Sequence, residues 1–131
     1  MGLDNGIMIE RSNALPECVL RSFDKDWRMR DGFDLEVAYW RKCWGVRSII
    51  YNVLGQSDEN DSEIGISRND VLAVIRALKT LNKNNWNEEG SEYWSWDEYK
   101  DTHRWSLRRL KKLARIMYWY PNISVYFYDS Y

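Results

Sequence analysis

Apolar and polar residues alternate from Phe33 to Tyr39. Phe33, Leu35, Val37 and Tyr39 fall on one side, and Asp34, Glu36 and Ala38 on the other. A repeat of two is the period of a half-buried strand. From Trp40 the period lengthens: Cys43, Val46, Ile50 and Val53 or Leu54 recur at helical spacing, and Gly55 stands where a left-handed residue would stop the helix. A second helical stripe, Val71, Val74, Ile75, Leu78 and Leu81, follows Ser67, a capping residue, with Asp70 in the first turn. Ile66 and Val71 hold the two positions of a hydrophobic staple, and the Asn-rich stretch from Asn82 to Asn87 ends the element. The strongest start signal is Ser95 with Glu98, a capping box flanked by the staple pair Trp94 and Tyr99. That helix can run to about Tyr118, because Pro121 cannot continue it.

The chain ends supply the remaining strands. Ile7-Met8-Ile9 reads as a strand entered from Asp4-Asn5-Gly6 through a turn or bulge, and residues 18–23 read as another short strand. Ile123, Val125 and Phe127 alternate with Ser124, Tyr126 and Tyr128, a closing strand. These elements predict an α+β fold. One domain spans residues 1–131, with a small, mainly antiparallel sheet that includes the N- and C-terminal strands and is covered by about three helices.

Composition narrows the chemistry. The 131 residues carry a formal net charge of −1, are 44% hydrophobic and 15% aromatic, and include eight Trp and nine Tyr. That apolar content excludes wholesale disorder. No apolar run approaches a membrane span and no leader segment is apparent, so a cytoplasmic protein is expected. Cys18 and Cys43 are expected as reduced thiols. With a single His and no ligand spacing, neither a metal site nor a cofactor is expected. Glycine-rich phosphate loops, His-Glu-x-x-His and Gly-x-Ser-x-Gly are all missing from the sequence. The acidic stretch from Asp58 fails as a calcium loop, because Glu63 stands where that loop needs glycine.

The last helix offers the one candidate surface. Tyr99, His103, Ser106, Leu107, Leu110, Leu113, Ala114 and Met117 share its core stripe, while Arg104, Arg108, Lys111 and Arg115 stack on a separate arc. A charge run of this kind is ordinarily a solvated face. It would also suit an acidic protein, or a nucleic acid with Trp105 and Trp119 as stacking partners. The sequence pI of about 5.9 does not favour a general polyanion binder. His103, on the core stripe, reads as a packed residue. A Cys43–His103 nucleophile–base pair is conceivable, but nothing in the sequence brings the two together.

Three landmarks carry a resemblance. The chain opens Met1-Gly2-Leu3-Asp4, carries Tyr39-Trp40-Arg41-Lys42 at the strand-to-helix junction, and ends in Val125-Tyr126-Phe127-Tyr128. In these it resembles small proteins encoded by bacteriophages and prophages, a family with no established activity. The resemblance implies a phage origin and a bacterial cytoplasm, and no reaction. Trp44 and Arg47 stand where such relatives carry Asn and His, so imidazole chemistry is not carried over. Arg41 and Lys42 are expected to open a helix, where the dipole disfavours cations by about 0.3–1 kcal/mol. An anion or an acidic partner is therefore expected at the junction, with Asp4, Glu36 or a phosphate able to serve. The resulting expectation is a non-enzymatic accessory protein that binds a host or phage macromolecule, protein rather than nucleic acid. Its expected contacts are Arg104, Arg108, Lys111, Arg115, Arg41 and Lys42, with Trp105 and Trp119 as aromatic neighbours. A nucleic-acid binder is the alternative, and a small enzyme comes third.

Overall fold

The computed structural model describes residues 4–11, 15–25, 34–55, 62–86, 93 and 95–130. Its elements follow the order β1 (Asp4–Ile9), α1 (Glu17–Arg21), β2 (Leu35–Arg41), α2 (Trp44–Leu54), β3 (Ser62–Ile66), α3 (Arg68–Lys79), α4 (Trp96–Trp119) and β4 (Val125–Ser130). The strands form one antiparallel sheet in the order β2-β1-β4-β3, so both chain ends supply its centre. The architecture is α+β. In sequence order α2 packs on α3 and α3 on α4, while α4 lies against β2.

Asp4-Asn5-Gly6 does not turn. The three residues belong to β1, where Asn5 pairs with Trp40 on one side and Asp129 on the other. Alternation then sorts the strands. Asn5, Ile7, Ile9, Val125, Phe127 and Asp129 are buried on the helix-covered face, while Tyr126 and Tyr128 belong to the opposite face. On that opposite face the Tyr128 ring lies over Gly6. A Cβ at Gly6 would fall 2.8 Å from the ring and 2.6 Å from the Ala38 carbonyl oxygen, so the position requires glycine.

The alternation read through β2 is corrected at a bulge. Ile7 pairs with Ala38 but Met8 pairs with Glu36, which leaves Val37 as the extra residue. Leu35 and Val37 face inward as expected, but beyond the bulge the buried residues are Ala38 and Trp40. Tyr39 is turned to the opposite face, where its hydroxyl donates to Asp4 Oδ1 at 2.7 Å. Burial and that hydrogen bond push the Tyr39 phenol up to about 12.

Three further expectations change. Residues 18–23 form no strand. Pro16 presets the backbone, and its carbonyl accepts from the amides of Val19 and Leu20, winding α1 instead. Arg41 and Lys42 do not open α2. Pairing of Arg41 with Asp4 extends β2 to residue 41, Lys42 turns the chain at φ 47°, and the helix begins at Trp44 behind Cys43. Finally, β3 forms where the sequence shows only the end of an acidic stretch and the staple residue Ile66.

The expected helix signals are present. Gly55 ends α2 at φ 65°. Ser67 and Asp70 make a reciprocal capping box on α3, and Ser95 Oγ accepts from the Glu98 amide at the start of α4. Trp94 and Phe33 lie outside the described residues.

Candidate functional site

The 24 residues of α4 wind without a break. Their inner stripe is buried as the spacing predicts, with Ser106 Oγ accepting from the Trp40 indole at 3.1 Å and Leu107 alone half-buried. Arg104, Arg108, Lys111 and Arg115 all lie exposed on the outer side. At 1.5 Å rise per residue the row is about 16 Å long. Arg104 is paired with Asp101 at 2.5 Å, but both side chains are largely in water, so the pair holds little energy. Arg108, Lys111 and Arg115 have no carboxylate partner among the described residues.

The neighbouring cations of α4 are used differently. Arg109 reaches across the edge of β2 and donates to the carbonyls of Val37, Glu36 and Phe23. Its guanidinium lies over the rings of Phe23 and Trp105. Lys112 donates to the Ser22 carbonyl at 2.8 Å and sits over Phe23. Arg109 therefore ties β2 and the segment after α1 to α4, Lys112 ties that segment alone, and Trp105 packs beneath Arg109.

Packing of α3 against α4 extends the row sideways. A shallow groove of about 410 Å³ runs between them, lined by Arg68, Lys79, Lys111 and Arg115, with Leu72, Ile75 and Ala114 as its apolar floor and Tyr118 at one end. Arg68 is fixed there by Nε donating to the Ala114 carbonyl at 2.8 Å and by the Tyr118 ring beneath its guanidinium. Trp119 is 70% exposed and meets Tyr118 edge-on. Arg41 and Lys42 fall outside this face: Arg41 stands across from Asp4 on the sheet. The contribution of α3 was invisible in the sequence, because it depends on which helices become neighbours.

Cys43 is wholly buried at the N-terminus of α2, and His103 packs against the rings of Trp96 and Tyr99. Neither residue lines the α3–α4 groove. The described residues contain no group of three His, Cys, Asp or Glu side chains placed to hold a metal, and no helix long and apolar enough to cross a membrane.

His103 has a consequence for stability. Burial lowers its pKa from 6.5, and Nδ1 has no hydrogen-bond partner among the described residues. The folded state therefore holds the neutral imidazole, whereas the unfolded chain takes up a proton below about 6.5. This contribution is complete above that value and is lost as pH falls toward the folded pKa. Thermal melts across this range are expected to show a falling midpoint on acidification, with a smaller fall in His103→Phe. Equal slopes in the two proteins would contradict the assignment.

Sequence reasoning missed one buried cluster. Arg47 Nε donates to both Asp129 carboxylate oxygens at 3.0 Å and Nη2 to Oδ2 at 2.7 Å, while the Tyr51 hydroxyl donates to Oδ2 at 2.6 Å. The Arg47 and Asp129 side chains are 2% and 0% exposed. This is an internal tie between α2 and β4 rather than an open site.

Compared with protein-family models, curated proteins and solved structures, the chain matches none.

Proposed function

We propose that this protein is a non-enzymatic binding module that docks an acidic segment of a partner protein across the α3–α4 face. The observation behind this reading is the pairing of an exposed cationic row with an adjacent apolar floor. Arg104, Arg108, Lys111 and Arg115 supply charge, and half-buried Leu72, with Ile75 and Ala114 buried beside it, supplies a small apolar contact. A partner with carboxylates and apolar groups interleaved satisfies both, whereas a nucleic-acid backbone uses only the first. The phage origin implied by the opening residues, the Tyr-Trp-Arg-Lys block and the aromatic last strand would make that partner a host or phage protein. Nucleic acid is the second reading, favoured by the exposure of Trp119 beside the cations.

The test uses fluorescence anisotropy with two labelled probes, a synthetic peptide alternating Glu and Leu and a single-stranded oligonucleotide. The peptide is expected to bind. Its affinity is expected to fall at least about tenfold when Arg108, Lys111 and Arg115 are all changed to Glu, with circular dichroism unchanged, since close interfacial charge pairs couple by about 1.5 kcal/mol or more. Tighter binding of the oligonucleotide, with a steep salt dependence, would transfer the face to nucleic acid. Binding of neither probe would leave it a solvated surface.

A further inference from the structure

We propose that β3 is a dimerisation edge, through which two copies of this chain pair antiparallel about a two-fold axis and continue the sheet from one subunit into the next. The two edges of the sheet are treated differently. The β2 edge is closed by Arg109, whose guanidinium takes up the Glu36 and Val37 carbonyls. On β3, every ladder partner lies on β4, and among the described residues no strand pairs with its other side. An edge strand left this way is a template for another strand, and proteins that avoid such pairing usually place Lys, Pro or a bulge there. β3 has none of these among its five residues, and Glu63 is its one charge.

The occupant is a second copy because the strand is complementary to itself. Pairing centred on Ile64 places each Ile64 opposite the other, covering a side chain that is only half-buried in the single chain. The same register sets Glu63 opposite Gly65 of the second copy, so no like charges meet. A side chain has room there, since a Cβ at Gly65 would meet nothing within 4 Å. Centring on Glu63 instead would oppose the two carboxylates directly, which is disfavoured. A closed two-fold contact of this kind is self-limiting at two copies.

Sedimentation equilibrium on the full chain tests the pairing without any anionic probe, so its failure is separate from failure of the docking face. The wild type is expected to dimerise at or below millimolar concentration. Gly65→Glu places two pairs of like charges across the axis and should raise the dissociation constant about tenfold. The double variant Glu63→Lys with Gly65→Glu makes those pairs opposite in sign and should return the constant to the wild-type value or below it. All three should give the same circular dichroism, because Gly65 faces open space. A wild type that stays monomeric at millimolar concentration overturns the proposal. So does a dimer indifferent to Gly65→Glu, or one that the double variant fails to restore.

Discussion

Asp129→Ala is expected to lower the free energy of unfolding by about 3–5 kcal/mol, read as a fall in the urea midpoint. The carboxylate is buried beneath α2, where it accepts three hydrogen bonds from Arg47 and one from Tyr51. Removing it breaks the buried ion pair with the Arg47 guanidinium, which is 2% exposed. The rings of Trp44 and Tyr51 near that cation offset only part of the loss, at about 2 kcal/mol when desolvated. Typical domain stabilities of about 5–15 kcal/mol make this a large fraction of the whole. Asp129→Asn should also be costly, because it keeps the shape but removes the charge. The double variant Arg47→Met with Asp129→Leu should recover most of the loss, since apolar replacement of both partners strands no charge. An Asp129→Ala protein as stable as the wild type, or a double variant worse than either single one, would show that the pair does not tie α2 to the sheet.

Each half of that pair was legible as an anomaly. Arg47 falls on the apolar arc of Cys43, Val46 and Ile50, and Asp129 continues the inward series Val125 and Phe127. Two inward charges of opposite sign are a signal. That they meet is not readable from periodicity, because 82 residues separate them and the sheet order decides their contact. Similar reasoning accounts for the other differences. The bulge at Val37 depends on how β1 and β2 register, so a local alternation assigned Tyr39 to the wrong face. Extension of β2 through Arg41 depends on Asp4 lying opposite, so the Tyr-Trp-Arg-Lys block looked like the opening of a helix. β3 was hidden because only Ile64 and Ile66 carry its alternation, with glycine between them.

The cationic row was more legible than the groove beside it. Spacing alone separated Arg104, Arg108, Lys111 and Arg115 from Arg109 and Lys112, and the structure keeps that division. The first set is exposed, while the second donates to carbonyls of β2 and of the segment after α1. Helical periodicity fixes azimuth within one helix, and this is a local property. The apolar floor and the cations Arg68 and Lys79 belong to α3, and their placement follows from packing between helices.

Ending the chain after Tyr120 is expected to abolish folding altogether. The truncated protein would lose β4, which lies between β1 and β3 and pairs with both. Among the described residues, β3 would have no ladder partner left and β1 would keep only β2. Ile123, Val125 and Phe127 are buried in the core, and removing such side chains forfeits about 1.5–3 kcal/mol each. Loss of Asp129 adds the cost of breaking its buried ion pair with Arg47, about 3–5 kcal/mol. The sum reaches the total stability of an ordinary domain before any backbone hydrogen bond of the ladder is counted. Circular dichroism should show an unfolded chain, with no cooperative urea transition. A truncated protein that still melted cooperatively would mean that α2, α3 and α4 form a core without the central strand. The assignment of β4 as the element that closes the fold would then fail.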